Sequence, residues 1–480
     1  MNKNDLRHKI MGCWLGKAVG GTLGQPYEGC DGPLNLTYYD PVPTDMIPND
    51  DLDLQVLWAC LLDTKPNPVI NRNFFGNAWL NHVEFPWDEY GVAIRNLKNG
   101  IQAPFSGSYD NWFKDGLGAA IRSEIWACMA PGKPDLAAAF AFEDACVDHD
   151  GDGIYAEQFL AALESMAFVE SDIDKLIDAG LEVIPSDSRL ACAIRDTREW
   201  CSQEASAMEV RDKILQKYGN ENFTDVVMNI PFIILSLILG KGNFSETICL
   251  AVNCGRDADC TAASAGAIMG LISPDSIDEK WLKPIGRKLV INEGITGISP
   301  PATLDGFTDL IISLKDKVEL STDSTDSFPT QKLTVETAIF SDWFAQDSEK
   351  FSPEIGSNTE SSKLESSHYS MPASTIPSDS LYMMRFKFQL NAATKVRVMF
   401  NTNANSRVWL DGKFAFGREG GRMAPSFHRA PINQFIDIEL GPGEHEVIAG
   451  ISPFEQQDNI EWVIGVGDFE SKQWLQDVFI

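Results

Sequence analysis

Gly255-Arg256-Asp257-Ala258-Asp259-Cys260-Thr261-Ala262-Ala263-Ser264-Ala265-Gly266-Ala267 sets two carboxylates at the head of a run of small side chains. Such a run reads as a helix that a second backbone can approach closely, and acids at its head are either caps or ligands. Alternate positions in a turn aim Asp257 and Asp259 the same way. A matching block lies far upstream. Asn49-Asp50-Asp51-Leu52-Asp53 follows Pro48 and precedes Leu54, Val56, Leu57, Leu61 and Leu62, which places it in the first turn of another helix. Capping accounts for one of these acids, but the further negative charges repel one another and outnumber the N–H groups they could cap. Carboxylates brought together from both blocks would need raised pKa values or a cation, and oxygen donors favour a hard ion such as Mg²⁺.

Nearer the N-terminus, Gly12, Gly16, Gly20 and Gly24 recur at four-residue spacing along one helical face, and Gly21 widens that bare strip. Either a neighbouring helix or a ligand can approach there. The strip ends in Leu23-Gly-Gln-Pro-Tyr-Glu-Gly29, where Glu28 leaves the helix in a turn. A turn glutamate is ordinarily solvated, and only further context makes it a candidate for catalysis.

Apolar residues at three- and four-residue spacing predict helices in Leu54–Leu62, Leu117–Met129, Phe159–Phe168 and Ile230–Leu239. The last run falls far short of the ~20 residues that cross a bilayer, so it reads as buried helix. Ser321 to Thr330, STDSTDSFPT, reads as a linker at 321–330. Beyond it the period changes to two. Met384, Phe386, Phe388 and Leu390 alternate with Arg385, Lys387 and Gln389, and Val396, Val398 and Phe400 with Arg397 and Met399. Asp411-Gly412 between two strand-like runs has the composition of a type I′ hairpin turn, and Gly441-Pro-Gly443 marks another turn. The Ser- and Pro-rich stretch 356–380 reads as a long loop, and Trp409, Phe414 and Phe416 as core aromatics. The organisation expected is multidomain: an all-helical catalytic domain at 1–320 and an all-β domain at 331–480, a β-sandwich similar to the jelly-roll accessory modules of glycoside hydrolases.

Of the 480 residues 44% are hydrophobic, ordinary for a globular protein, whereas a net charge of −30 is not. No stretch concentrates Lys and Arg without interleaved acid, which argues against nucleic acid and anionic membrane surfaces as partners. A small anionic ligand stays open, because a bound dication and helix N-termini can hold phosphate against an unfavourable field. All ten cysteines precede residue 261 without a CxxC pair, as suits reduced thiols in a helical core and a cytoplasmic setting. The opening MNKNDLRHKIMGCWLGKAVGG is a poor signal peptide, its apolar stretch being broken by glycines. A signal removed beforehand would point instead to a secreted or periplasmic protein.

Asp148-His149-Asp150-Gly151-Asp152-Gly153 starts like a calcium loop, yet Phe159 stands where the closing bidentate Glu belongs. The segment reads either as a loop capping the helix that begins near Tyr155, or as part of a ligand pocket lined by His149. Six scattered histidines without HExxH disfavour zinc, no GxSxG is present, and the N-terminal glycines lack a following Gly-Lys-Ser/Thr.

Together these segments resemble the ADP-ribosylglycohydrolase family, from residue 6 to about 317. The family's GxxxGxAxGDxxGxPxE is similar to Gly12 through Glu28, its Thr-Asp-Asp block to Asn49-Asp50-Asp51, and its GxDxDT-x-AA-x-AGA to Gly255 through Ala267. The middle, Gly118 to Trp126 and Asp148-His149 to Gly153-Ile-Tyr155, looks like a poorly characterised branch of that family. The resemblance implies two Mg²⁺ ions, with Mn²⁺ as a substitute, held by Asp50, Asp51, Asp257 and Asp259 with Asn49 at a ligand position. It implies Glu28 as acid/base, and His149, Asp150, Gly153 and Tyr155 at the substrate. It departs from the family at Gly21, usually an acid, at Asn49 and Leu52, each usually Thr, and at Cys260, usually a metal-binding Thr. A soft thiol is a poor partner for Mg²⁺.

The leading expectation is hydrolysis of an ADP-ribosyl or related ribosyl bond in a small molecule or on a protein side chain. A glycosidase for a sugar without ADP, and an inactive ligand-binding protein, are the alternatives.

Overall fold

The computed structural model describes residues 2–203, 206–322, 325, 327, 333–341, 360–364, 366–378, 380–454, 457–475 and 478–479. Among them are sixteen α-helices: α1 (Lys3–Gly24), α2 (Asp50–Asp63), α3 (Arg72–His82), α4 (Asp88–Lys98), α5 (Phe105–Ser108), α6 (Glu124–Met129), α7 (Pro134–Ala145), α8 (Asp152–Ala167), α9 (Ile173–Glu182), α10 (Arg189–Ser202), α11 (Ala207–Tyr218), α12 (Val226–Leu239), α13 (Phe244–Asn253), α14 (Ala258–Ile272), α15 (Glu279–Ile285) and α16 (Leu304–Leu314). Strands β1 (Val69–Ile70) and β2 (Glu319–Leu320) form a short parallel pair. The strands that follow are β3 (Leu333–Ser341), β4 (Glu360–Leu364), β5 (His368–Pro372), β6 (Ser380–Leu390), β7 (Thr394–Thr402), β8 (Asn405–Leu410), β9 (Lys413–Arg418), β10 (Phe435–Leu440), β11 (Gly443–Ser452) and β12 (Asn459–Asp468). The chain divides into two compact units, Met1–Glu84 with Phe113–Thr325, and Phe85–Trp112 with Asp326–Ile480.

In the first unit the glycine strip meets another backbone. A Cβ on Gly16 would lie 2.0 Å from the carbonyl oxygen of Gly266, and one on Gly20 2.0 Å from that of Ala262. Gly12 and Gly24 approach Gly270 and Ala258 in the same way, so α1 and α14 pack with no side chain between them along this face. Around this pair α12 is buried from Val226 to Leu237, as its apolar sequence demands. No helix among the described residues is long and apolar enough to cross a membrane. The helix expected over Leu117–Met129 is broken: a 3₁₀ turn, Ala120–Arg122, precedes α6. The Arg122 guanidinium turns inward there, donating to the Gly118 carbonyl at 2.8 Å and to Asp148, and local propensity yields to that buried charge pair.

The second unit holds two antiparallel sheets, in strand order β10-β7-β12-β5 and β4-β3-β6-β11-β8-β9. Alternation places Met384, Phe386, Phe388 and Leu390 of β6 in one core with Val396, Val398 and Phe400 of β7 and Trp462 and Ile464 of β12. The sheets therefore pack face to face. Asp411 and Gly412 both have positive φ, 47° and 76°, as a type I′ turn requires. Trp409 and Phe416 are buried, whereas Phe414 is exposed.

The long loop expected at 356–380 is corrected by β4 and β5. β5 takes its register from β12, Ser370 opposite Glu461 and Pro372 opposite Asn459; an edge strand tolerates proline, and pairing overrides the composition. Of the expected linker, only 321, 322, 325 and 327 lie within the described residues. Residues 85–112, though early in the chain, belong to this unit. Val92 and Trp112 pack with Met399, Phe427 and Trp474, and Asp110 accepts from the Ser367 N–H and hydroxyl at 2.9 Å each.

Candidate active site

The two acidic blocks meet at the N-terminal ends of α2 and α14. Asn49 caps α2, its Oδ1 accepting from the Asp51 N–H at 2.7 Å, which leaves the acids of the first turn pointing elsewhere. Asp53 turns to the Asn292 N–H at 3.0 Å and holds that loop; burial raises its pKa to about 8, the Asn292 bond opposing. Asp51 faces α14. A ligand oxygen from Asp51, one from Asp259 and the sulfur of Cys260 all lie within 4.8 Å of one another. Asp51 is 1% exposed and Asp259 3%, yet both oxygens of Asp51 and Oδ1 of Asp259 lack a hydrogen-bond partner.

Electrostatics follow from this crowding. Burial raises Asp51 to about 6, with Lys17 pulling the other way and Glu124 and Glu28 adding to the rise. Asp257 lies well above the carboxylate range through burial, then the charge of Glu28, the Cys260 thiol offsetting part of the rise. Asp259 is also raised well above that range, through burial, then Asp257 and Glu28. Burial, then Asp257 and Asp259, also push the Cys260 thiol up. Buried charges without partners are costly by several kcal/mol, so the orphaned oxygens fit a cation, and Asp51, Asp259 and Cys260 are a group that could hold one.

Glu28, exposed, follows the 3₁₀ turn Gln25–Tyr27 at the end of α1. What holds it near α14 is a pair of reciprocal backbone bonds: Gly29 N–H to the Arg256 carbonyl at 2.8 Å, and Arg256 N–H to the Cys30 carbonyl at 2.6 Å. Gly255, with φ of 73°, has no room for a side chain, because a Cβ would stand 2.7 Å from the Cys30 carbonyl oxygen. Arg211, nearly buried, donates to the Cys254 and Asp31 carbonyls and ties both segments together.

Lys17 and Arg211 were not singled out from sequence. Lys17 is buried inside the glycine-rich helix, its Nζ 2.8 Å from Glu124 and 3.8 Å from Asp51 Oδ1. Burial would discharge it, but Glu124 and then Asp51 hold its pKa above the usual lysine range. Its signal was a lone cation among Gly16, Ala18 and Val19; for Arg211 the sequence carries none. Gln55 extends the same network, donating to Glu124 at 2.9 Å and to the Asp51 carbonyl at 2.8 Å.

The middle segment is placed in a second buried web. Arg122 lies between Asp148, at 2.6 Å, and Asp144, at 3.1 Å; Trp58 and Trp126 both donate to Asp144, and Trp126 also to Glu157. His149 is fully buried, its Nε2 accepting from the Ala119 N–H at 3.3 Å and its Nδ1 3.1 Å from Asp148. Gly153 is bare because the Lys114 carbonyl and the His149 ring occupy its Cβ position. Asp150 lies 3.8 Å from Lys114, and Tyr155 is half-buried on α8. The acids that looked like a calcium loop thus face different partners, Asp152 accepting from the Leu190 N–H.

The family model described as ADP-ribosylglycohydrolase matches residues 2–307. The chain belongs to the ADP-ribosylglycohydrolase family. An uncharacterised protein of Archaeoglobus fulgidus is 28% identical over 309 residues, 60% of this chain and 95% of its own. A solved structure titled as an ADP-ribosylglycohydrolase-related protein complex is 19% identical, with a TM-score of 0.46, covering 65% of this chain and 99% of that one. An α-xylosidase of Xanthomonas citri, 10% identical over 27% of this chain and 15% of that one, has a TM-score of 0.16. Membership in the ADP-ribosylglycohydrolase family supports glycohydrolase chemistry in general. Relative to the family motif, Gly21 leaves room that Asn49 fills: a Cβ there would meet Asn49 Nδ2 at 2.6 Å and Asp51 Oδ2 at 3.5 Å.

Proposed function

We propose that this protein is a metal-dependent glycohydrolase that cleaves an ADP-ribosyl or related ribosyl glycosidic bond. Asp50, Asp51, Asp257 and Asp259, with Asn49 beside them, would hold divalent ions; Mg²⁺ is the ion that the family resemblance implies. The observation that carries this reading is the convergence of buried, unpartnered oxygens from α2 and α14 beside the segment that ends in Glu28. When bound, such an ion supplies charge that orients sugar hydroxyls and polarises water.

The chain's own groups do the rest. Glu28, exposed where Asp51, Asp257 and Asp259 are buried, is the carboxyl that can reach a substrate and exchange a proton with water or a leaving group. The bond between the anomeric carbon and the leaving group breaks through an oxocarbenium-like state, water adds to the sugar, and the leaving group departs with a proton. Lys17 keeps Asp51 ionised and in place from behind, through Glu124 and Gln55. His149, Asp150, Gly153 and Tyr155 are proposed at the substrate, with His149 acting through the wall it supports.

A second reading, a glycoside without ADP, draws on the second unit. A cavity of about 230 Å³ there is lined by Arg95, Asn99, Tyr109, Asp110 and Trp474, with Arg95 over the Trp474 ring at 4.8 Å and 3.8 Å from Asp110. Polar groups converging on an aromatic suit a sugar. Incubating the full chain and Mg²⁺ with ADP-ribosyl-arginine, ADP-ribosyl-serine, nucleosides and aryl glycosides separates the readings. Release from the ADP-ribosyl group is expected, with Glu28→Gln lowering it by about 10²–10⁴-fold at unchanged melting temperature. Turnover of aryl glycosides alone moves the substrate to the second reading, and binding of ADP-ribose without turnover of any substrate ends the enzymatic one.

A further inference from the structure

The donor set itself departs from what magnesium takes. Cys260 is 8% exposed and follows Asp259 in the first turn of α14, so its sulfur sits among carboxylates and not in the apolar packing where a buried thiol is inert. Lys17 leaves the need for a cation standing: it donates to Glu124 at 2.8 Å and stays 3.8 Å from Asp51. Asp51 and Asp259 are each more than nine-tenths buried, their oxygens Asp51 Oδ1 and Oδ2 and Asp259 Oδ1 accept no hydrogen bond, and a ligand oxygen of each lies within 4.8 Å of the sulfur. Carboxylate oxygen accepts any divalent ion, whereas sulfur is a strong ligand for zinc, cobalt and iron(II) and a poor one for magnesium.

We propose that Cys260 is a metal ligand together with Asp51 and Asp259, and that it makes this centre select a thiophilic divalent ion over magnesium. The proposal rests on the metal-centre reading above and changes the ion that reading inherits from the family. As the sulfur–metal bond forms, the thiol proton leaves to solvent, so binding releases one proton at this residue.

The test uses the full, reduced chain stripped of metal and titrated with Co²⁺, Zn²⁺ and Mg²⁺. Co²⁺ should produce a near-ultraviolet thiolate-to-cobalt band that Cys260→Thr removes. The same substitution should weaken Co²⁺ and Zn²⁺ by more than the ~10–100-fold typical of an outer-shell change, and leave Mg²⁺ unchanged or tighter. X-ray absorption on the zinc-loaded wild type, which needs no variant to fold, should report a sulfur neighbour at about 2.3 Å. Co²⁺ binding that is abolished by Asp51→Asn but lacks the band, with equal affinity in Cys260→Thr, overturns the sulfur ligand and leaves the metal centre standing. No binding of any of the three ions to the wild type removes the centre and this proposal together.

Discussion

Arg122 illustrates how a single side chain can outrank local propensity. Its guanidinium is fully buried with Asp148 and Asp144, and the pair holds Asp148 down at about 2: burial opposes ionisation, but Arg122 and then His149 overcome it. Removing one partner of such a pair strands the other charge, so Asp148→Asn should destabilise the fold by about 3 kcal/mol, read as a shifted urea midpoint. A change within ~0.5 kcal/mol would mean that Asp144 and Glu157 suffice for Arg122. Asp148 was visible within a motif, but its partner Arg122, 26 positions upstream, was not. Likewise Asp50, Asp51, Asp257 and Asp259 stood out as too many acids for two caps, whereas nothing local marks Arg211, because it acts on backbone carbonyls whose placement only the folded chain creates.

Helix α1 can be read twice, and the structure chooses. By propensity alone, glycine to alanine in a helix interior stabilises by about 1 kcal/mol. Against α14 the sign reverses, because the new methyl of Gly16→Ala would stand 2.0 Å from the Gly266 carbonyl oxygen. Separation of the helices should cost about 1–3 kcal/mol and shift Asp259 relative to Asp51. Thermal melting and Co²⁺ affinity would both report it; a stabilised protein with unchanged affinity would show the two helices to be less tightly apposed. The four-residue repeat disclosed the close approach, but the identity of the approaching element came from tertiary contact.

Taken as a whole, the second unit carries its own pH sensitivity. His428 is largely buried and titrates at about 4 instead of 6.5, through burial first and the nearby Arg397 second. Asp88 Oδ1 lies 3.8 Å from its Nε2, too far to hydrogen bond, and Asp88 pairs with Arg429. The unfolded chain takes up a proton near 6.5 and the folded one only near 4, so stability is full above 6.5 and declines as pH falls through that interval. The loss should reach about 2 kcal/mol at pH 5, seen as a falling urea midpoint, and His428→Gln should flatten it. An unchanged slope in the variant would assign the acid sensitivity elsewhere.

Sequence by itself determined what short-range pattern can encode: helices by their three- and four-residue period, strands by alternation, the Asp411-Gly412 turn by its need for positive φ, and the acidic blocks by an excess of like charge. Strands β4 and β5 were decided by pairing with β3 and β12, some tens of positions away, and the membership of residues 85–112 in the second unit by packing with residues hundreds of positions away. So was the meeting of Asp51 with Asp259 and Cys260. Periodicity describes which face of an element is apolar; only the folded chain decides which other face covers it, and therefore which charges are left to share one buried point.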